Sequence, residues 1–264
     1  MTEPITIDPS HPGAGHLTVT LRDRVARIEL NRPEVLNALH SDTHRAMQAV
    51  FDLLEDGHEA GAVVIAGAGR AFCTGSDLRE VGTLRGEASN RYAQLDFATK
   101  NRIAGSPLPV VAAIHGWCVG GGLELALACD IRIAAEDAMF SMREVPLGSL
   151  PGSGGLQRLP EVVGAGVARD WILRGRDVPA DLAFQRGLVT EVVPRAELEE
   201  QAHRIAAGLA AQSATAMRLA KVALTPAPHS DRSLVAAFGS LAVAACHDDP
   251  FYATRTQRYT EKKA

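Results

Sequence analysis

Residues 108–135 read LPVVAAIHGWCVGGGLELALACDIRIAA, and this stretch decides the fold. Its first part, 109–114, is an apolar run typical of a buried strand, and 123–129 has the composition of a buried helix. Three consecutive glycines and three charged side chains within the stretch make a membrane span unfavourable. The stretch therefore predicts a buried strand, a tight turn and a buried helix.

Further apolar runs at 62–66 and 131–135 have the length of strands, and helical patterns separate the strands from one another. Strands that alternate with helices predict an α/β fold with crossover connections. Because the strand centres are uncharged, we expect helices on both faces of the sheet. Nearer the N-terminus, 17–21 and 25–30 alternate like a hairpin around a polar turn at 22–24.

The composition divides the chain into three regions. Residues 1–16 lack the basic and apolar parts of a signal peptide and predict a flexible tail. Residues 17–195 predict the α/β core. Residues 196–264 predict a C-terminal helical region, with helices expected at 198–209, 214–224 and 234–245, that folds over the core or against another subunit.

The bulk composition excludes several classes of protein. The chain has 264 residues, 46% of them hydrophobic, which is enough for one large core. Its net charge is −4 and its basic residues are scattered, so we expect no nucleic-acid partner. The four cysteines have no CxxC or metal-ligand spacing and lie among apolar residues. They indicate reduced buried thiols, no metal site and a cytoplasmic location. Because the least charged stretch is not typical of a membrane span, we also expect no membrane partner.

Two glycine-rich turns point to a chemistry. One leads through Gly75 to Ser76, and the other leads through Gly120 to Gly121 at the start of the predicted helix. Bare backbone N–H groups at such turns can form an oxyanion hole, and a helix N-terminus adds partial positive charge. Close helix–strand packing also requires glycine, and Ser76-Asp77 also fits an ordinary helix cap, so both structural explanations stay open.

Two acidic residues follow the second turn. Glu124 lies in an apolar helix, where a carboxylate is costly unless it is hydrogen-bonded, paired with a basic residue or functional. Glu144 follows one strand later, in a loop where acids are commonly solvated. Two acids in one pocket would leave one protonated and one ionised. A glycine cluster at 148–155 is either one wall of that pocket or a simple connection, and His115 is more typical of a structural residue than of a base.

Taken together, these segments resemble the enoyl-CoA hydratase/isomerase (crotonase) family. The order and spacing of seven segments agree with it, and the resemblance extends from about residue 17 to the C-terminus. The segments are residues 30–39, 71–78, 120–126, 129–131, 144–148, 151–155 and 157–159.

The resemblance implies a crotonase-like spiral of ββα units with a C-terminal α-helical oligomerisation region, in a homotrimer or a dimer of trimers. It implies an acyl-CoA substrate whose thioester oxygen lies between the N–H groups of Ser76 and Gly121. It also implies that one loop and one further residue hold the CoA portion: Thr74, Ser76, Asp77, Leu78, Arg79 and Ala38.

Hydratases of the family keep both acids, and this chain has both Glu124 and Glu144. The resemblance therefore implies a carbon–oxygen lyase of fatty acid metabolism that adds water to a trans-2-enoyl-CoA and forms a 3-hydroxyacyl-CoA. Glu124 would activate the water and Glu144 would protonate the α-carbon. No metal or redox cofactor is implied, since coenzyme A is part of the substrate. Double-bond isomerisation or carnitinyl-CoA-like dehydration is the alternative reaction.

The chain departs from the family pattern at two places, and its sequence leaves two other functions to consider. Ser76 stands where alanine is common, and residues 247–255 match the usual ending only loosely. A nucleotide-binding dehydrogenase is suggested by Gly67 and Gly69, but Phe72 replaces the third glycine of GxGxxG. RNA binding, known in some relatives, is disfavoured by the negative net charge.

Overall fold

The computed structural model of the chain describes residues 2–56 and 59–224, together with 242, 243, 245, 246, 248–252 and 254. The strands in this part are β1 Glu3–Pro4, β2 Leu17–Arg22, β3 Val25–Leu30, β4 Ala62–Gly67, β5 Ala71–Cys73, β6 Val110–Ile114, β7 Trp117–Val119, β8 Ile131–Ala135, β9 Met139–Ser141, β10 Val178–Pro179 and β11 Glu191–Val193. The helices are α1 Ser41–Asp56, α2 Leu78–Val81, α3 Gly86–Ala104, α4 Gly121–Ala128, α5 Gly155–Val163, α6 Ala165–Arg174, α7 Ala180–Gln185, α8 Leu198–Ala210 and α9 Ala214–Leu224.

The strands form two sheets that the chain visits in turn. The larger sheet has the order β1-β2-β3-β4-β6-β8-β11, and the smaller has the order β10-β9-β7-β5. In each of three successive units the first strand joins the larger sheet, the second joins the smaller sheet, and a helix follows. Strands β3, β4, β6, β8 and β11 run parallel, as do β5, β7 and β9. The predicted α/β spiral of ββα units is therefore confirmed.

The stretch 108–135 folds as its sequence predicts. It forms strand β6, the short strand β7, helix α4 and strand β8. The hairpin predicted at 17–21 and 25–30 is also confirmed, since β2 and β3 pair antiparallel. Asp23 and Arg24 form its loop with φ of 52° and 62°, which is the left-handed conformation of a type I′ turn. That turn matches the right-handed twist of the two strands.

Both faces of the larger sheet are buried, as predicted. One face packs against the helices around α1 and α4 in the main apolar cluster of the described residues. Helix α8 covers the other face with Leu198, Ala202, Ala206 and Ala210, which pack against side chains such as Val64. Small side chains at every fourth position let the helix approach the sheet closely. Helix α8 therefore folds over the core.

The N-terminal residues differ from the expected loose tail. Glu3 and Pro4 pair with β2 as an added edge strand, and Ile5 and Ile7 are buried in the main apolar cluster. The two isoleucines have apolar surface to bury, which the acidic composition of the segment conceals. These two side chains and the edge strand therefore attach the N-terminal residues to the core.

The C-terminal helices α8 and α9 lie where the sequence predicts them. Most of the helix expected at 234–245 and part of the divergent segment 247–255 lie outside the described residues. The domain boundary at 195 stays a prediction. None of the helices in the described residues has both the length and the apolar character needed to cross a membrane.

The glycines that suggest a nucleotide-binding dehydrogenase do not lead into a helix. Gly67 ends β4, and a short turn through Gly69 leads directly into strand β5. A dinucleotide fingerprint requires a helix N-terminus after its glycines, because the helix binds the pyrophosphate. This interpretation is therefore wrong.

The cysteines are unpaired thiols, as predicted. Cys73, Cys118 and Cys129 are buried, and Cys246 is partly buried. Burial raises the pKa of Cys73 and of Cys129 to about 12. These thiols are therefore unreactive apolar side chains at neutral pH.

Candidate active site

The two glycine-rich turns meet at the N-terminus of α4. A Cβ atom added to Gly75 would lie 2.9 Å from the backbone nitrogen of Gly121. A Cβ atom added to Gly121 would lie 3.4 Å from the backbone nitrogen of Ser76. Gly75 has φ of 90° and Gly120 has φ of 54°, conformations that side chains rarely adopt. Glycine is therefore required here both by backbone conformation and by the close approach of the two turns.

In the described part of the chain, the N–H groups of Ser76 and Gly121 take no part in the backbone hydrogen bonds of the secondary structure around them. Ser76 forms a bridge with Leu39, but the N–H groups used there belong to Leu39 and Asp77. Within the described residues, neither Ser76 nor Gly121 donates its N–H to a backbone carbonyl. Two neighbouring donors without acceptors, one of them at a helix N-terminus, suit an oxygen that carries negative charge.

The residues predicted to hold CoA also come together. The loop that contains Thr74 lies beside the segment that contains Ala38, because Thr74 donates its N–H to the Leu36 carbonyl at 3.2 Å. Arg32 fixes both segments: its guanidinium donates to the Ala38 carbonyl at 2.6 Å and to the Asp77 carboxylate at 3.0 Å.

The outer end of this loop faces solvent. Asp77 caps α2 by accepting the Arg79 N–H at 3.1 Å. Although burial raises it, the Arg32 guanidinium holds the pKa of Asp77 below its ordinary value. The Leu78 side chain is 66% exposed and Arg79 is exposed. These two side chains are therefore free to contact a ligand at the surface.

Glu124 lies on α4, one turn after Gly121, and is 3% exposed. Its Oε1 accepts the N–H groups of Ser153 and Gly155, each at 2.8 Å. The glycine cluster 148–155 therefore forms one wall of the site, and the N-terminus of α5 points at this carboxylate. Burial raises the pKa of Glu124 above its ordinary value, although the Lys100 ammonium and these N–H groups oppose this effect.

Glu144 lies on the other side of the same turn and is partly buried. A Cβ atom added to Gly120 would lie 3.0 Å from its Oε1, so a larger residue there would press against this carboxyl group. Its Oε2 is buried without a hydrogen-bond partner in the described part of the chain. Burial, with a smaller contribution from the negative charge of Glu124, raises the pKa of Glu144 to about 7.

Two charged residues near Glu124 are not predicted from the sequence. Asp96 and Lys100 form an ion pair on α3, and both are buried. The Lys100 ammonium also lies 3.9 Å from Oε2 of Glu124. The available signal is their spacing of four residues, which places them on the helix face that also buries Tyr92 and Ile103. Apolar periodicity does not reveal this helix face, because two of its buried side chains are charged.

His115 lies away from the two acids. Its Nε2 lies 3.0 Å from the Gly69 carbonyl oxygen. Burial lowers the pKa of His115, so its neutral form is favoured. It lines a half-open cavity of about 230 Å³ between the larger sheet and α8, together with Arg27 and Arg195. The interpretation of His115 as a structural residue is consistent with this position.

Within the described part of the chain, the site thus combines two N–H donors without acceptors, one acid held by backbone N–H groups, and one acid with an unpartnered oxygen. The donors can stabilise an oxyanion, and the acids can exchange protons with groups bound beside it. Burial raises the pKa of both acids, but the N–H groups held by Glu124 oppose this effect, so Glu124 is better suited to accept a proton and Glu144 to donate one.

Comparisons with known proteins identify the family of the chain. A family model described as enoyl-CoA hydratase/isomerase matches residues 20–262. A probable enoyl-CoA hydratase of Mycobacterium tuberculosis is 40% identical over 210 residues, which cover 80% of this chain and 81% of that protein. A short-chain-enoyl-CoA hydratase of Clostridium acetobutylicum is 38% identical over 224 residues, covering 84% of this chain and 86% of its own length.

Solved structures show the same fold. The crystal structure of an enoyl-CoA hydratase from Bacillus anthracis has a TM-score of 0.89 and 34% sequence identity, covering 94% of this chain and 96% of that one. The structure of Pseudomonas aeruginosa DspI has a TM-score of 0.90 and 30% identity, covering 97% and 96%. The crotonase-like fold expected from the sequence is confirmed, and the chain belongs to the enoyl-CoA hydratase/isomerase family.

Proposed function

We propose that the protein is an enoyl-CoA hydratase that adds water to a trans-2-enoyl-CoA and forms a 3-hydroxyacyl-CoA. The observation that carries this proposal is the placement of two acids, Glu124 and Glu144, around the turn that also presents the N–H groups of Ser76 and Gly121. Relatives named as hydratases support it.

In the proposed reaction, the thioester oxygen accepts the N–H groups of Ser76 and Gly121. The Glu124 carboxylate takes a proton from water while the water oxygen bonds to the β-carbon. The electron pair of the carbon–carbon double bond moves toward the thioester, and an enolate forms whose oxygen carries the charge. One such N–H donor is worth about 3–4 kcal/mol in the transition state.

The Glu144 carboxylic acid then donates its proton to the α-carbon. At the end Glu124 holds the proton gained from water and Glu144 has lost one, so one proton must pass back before the next turnover. A pKa of about 7 suits Glu144 to this donor role. The N–H groups of Ser153 and Gly155 suit Glu124 to the role of base, because they favour the ionised form.

The proposed CoA site is the loop that contains Thr74, Ser76, Asp77, Leu78 and Arg79, with Ala38 beside it. Its connection to the segment of Ala38 supports this assignment. The exposed Arg79 can pair with phosphate groups of CoA. The reaction needs no further cofactor, since coenzyme A enters and leaves as part of the substrate.

For the assembly and the location we propose a homotrimer or a dimer of trimers in the cytoplasm. In this arrangement residues 196–264 provide contacts between subunits, while α8 remains on the core. Exposed apolar side chains on α9, Val222 and Leu224, support an interface there.

The test follows the loss of conjugated-thioester absorbance with crotonyl-CoA as substrate. We expect turnover by the wild type and a loss of about 10²–10⁴-fold in Glu124→Gln and in Glu144→Gln. The control is Glu161→Gln, which changes an exposed acid of α5 and should keep the wild-type rate. Equal rates in all four proteins would contradict the acid–base assignment.

A second substrate separates hydration from isomerisation. A 3-enoyl-CoA should not be consumed faster than crotonyl-CoA if hydration is the main reaction. Rapid conversion of the 3-enoyl-CoA into the conjugated thioester, without hydration of crotonyl-CoA, would instead support an isomerase.

A further inference from the structure

Helix α3 carries a buried ion pair that the proposed reaction does not use. Lys100 is 0% exposed and Asp96 is 3% exposed, and they form an ion pair one helical turn apart. Two charges are costly to remove from water, and such a pair is no evidence of stability, because apolar residues of similar volume often replace it without loss. The position of the pair in the molecule therefore matters more than its contribution to folding.

The pair reaches both oxygens of Glu124. On one side, Ser153 donates its hydroxyl to Asp96 at 2.6 Å and its N–H to Oε1 of Glu124 at 2.8 Å. On the other side, the Lys100 ammonium lies 3.9 Å from Oε2 of Glu124. Asp96, Lys100, Glu124 and Ser153 thus form a closed ring of contacts, and each of the four is at most 5% exposed.

We propose that Asp96 and Lys100 are positioning residues for Glu124. Lys100 supplies the buried positive charge that keeps this carboxyl group ionised, and Asp96 fixes both Lys100 and Ser153 in place. The inference rests on the proposed function, in which Glu124 is the base that activates water.

The charges of the cluster support this role. With all three groups ionised, Asp96, Lys100 and Glu124 carry a net charge of one negative unit. Without Lys100, two negative charges would face each other in the core, and the site would take up a proton. Lys100 is also the largest influence that lowers the pKa of Glu124 against the effect of burial.

Other titratable groups face this cluster from every element around it, and they do not replace Lys100. Burial lowers the pKa of His44 to about 4, so this side chain on α1 is neutral at the pH of the reaction. Among the described residues, Arg158 on α5 also acts on Glu124 with a positive charge, but its guanidinium donates to Asn101 at 2.6 Å. The remaining neighbours are neutral or acidic: Tyr92, Cys73 and Glu144.

Two single variants should shift the pH at which Glu124 ionises in opposite directions. In the hydration reaction, kcat/KM rises with pH as Glu124 ionises. Lys100→Met removes the positive charge, so this rise should shift upward by at least one pH unit, about tenfold in proton affinity. Asp96→Asn leaves Lys100 paired with Glu124 alone, so the rise should shift to lower pH.

A matched control separates this role from a structural one. Lys221 is another buried lysine, 8% exposed and ion-paired with Asp130, and it lies outside the ring around Glu124. Lys221→Met should reduce stability without moving the pH profile. If Lys100→Met does not fold, the double variant Asp96→Asn with Lys100→Met removes both charges of the pair and leaves Glu124 as the one ionisable member of the ring.

A second readout needs no activity. The difference in unfolding free energy between a protein and its Glu124→Gln variant changes with pH until Glu124 is ionised in the folded state. We expect this change to extend to higher pH in the Lys100→Met or double-variant background than in the wild type. The same end point in the wild-type, Lys100→Met, double-variant and Lys221→Met backgrounds would overturn the proposal.

The two readouts distinguish the two claims. If the wild type hydrates no enoyl-CoA but the titration of Glu124 shifts as expected, the proposed function fails and the control of Glu124 by Lys100 stands. If the wild type is an active hydratase and neither the rate profile nor the titration shifts, the proposed function stands and the positioning role fails.

Discussion

At the scale of single residues, the two acids of the site differ in how the protein holds them. Glu124 accepts two backbone N–H groups, whereas one oxygen of Glu144 is buried and has no hydrogen-bond partner among the residues that the structure describes. A buried carboxylate without a donor is destabilising, and the group takes up a proton instead. This explains why the pKa of Glu144 rises to about 7.

The position of Glu144 has a consequence for stability. Its folded pKa of about 7 lies above the ordinary value of 4.5, so folding binds a proton between these two pH values. The contribution of Glu144 to stability is therefore complete below about pH 4.5 and is lost as the pH rises through 7.

We expect Glu144→Gln to be as stable as the wild type near pH 4.5 and more stable at pH 8, by about 2 kcal/mol. Urea unfolding at a series of pH values measures this difference. Glu161→Gln serves as the control and should show no such trend. A Glu144→Gln variant that is less stable than the wild type at pH 8 would mean that the carboxylate has favourable partners.

At the scale of elements, the site depends on how closely α4 approaches strand β5. A Cβ atom added to Gly122 would lie 2.2 Å from the carbonyl oxygen of Cys73, which is backbone and cannot move aside. The helix can therefore reach the strand only with glycine at this position. This approach also places the N–H of Gly121 beside Ser76.

We expect Gly122→Ala to reduce the unfolding free energy by about 2–3 kcal/mol, because the overlap forces α4 away from β5. The activity should fall as well, since the two N–H donors separate. Gly208→Ala is the matched control: Gly208 lies in α8, and an added Cβ would meet nothing within 4 Å. This variant should gain about 0.5–1 kcal/mol. Thermal unfolding measures the stability of both variants. A change of the same sign in Gly122→Ala and Gly208→Ala would contradict the account.

Much of the fold can be predicted because its information is local. The apolar runs at β4, β6 and β8, the glycines before α4 and the polar turn at Asp23 each signal their structure within a few residues. The positions of Glu124, Glu144, Ser76 and Gly121 also follow from motif order, although their roles stay predictions.

The features that could not be predicted from the sequence depend on contacts between distant segments. The ring around Glu124 joins residues 96, 100, 124 and 153, and no periodic pattern connects them. The edge strand at Glu3–Pro4 is too short to give a pattern, and it forms because β2 offers an open edge. Such features become visible only when the chain has folded.

At the scale of the whole molecule, a buried ion pair connects α9 to the core. Lys221 on α9 is 8% exposed, lies 2.7 Å from the Asp130 carboxylate and donates to the Leu108 carbonyl at 2.7 Å. Asp130 also accepts the N–H of Val110, the first residue of β6, at 2.7 Å. One side chain thus ties α9 to the start of a central strand.

We expect Lys221→Met to loosen α9 more than the rest of the molecule. Hydrogen exchange in α9 should accelerate by about tenfold, which corresponds to about 1.4 kcal/mol of local stability. Exchange in α1 should change less, and the hydration rate should stay close to that of the wild type. Equal acceleration in α9 and α1 would show that the pair stabilises the whole core rather than this attachment.

The central claim is that the site adds water across the double bond of an acyl-CoA. Mass spectrometry of the products from a panel of enoyl-CoA thioesters of different chain length tests it most directly. We expect 2-enoyl-CoA substrates to gain the mass of one water, with the wild type active and both Glu124→Gln and Glu144→Gln strongly impaired. Substrates that are consumed without any gain in mass, or a gain that both variants produce at the wild-type rate, would contradict the claim.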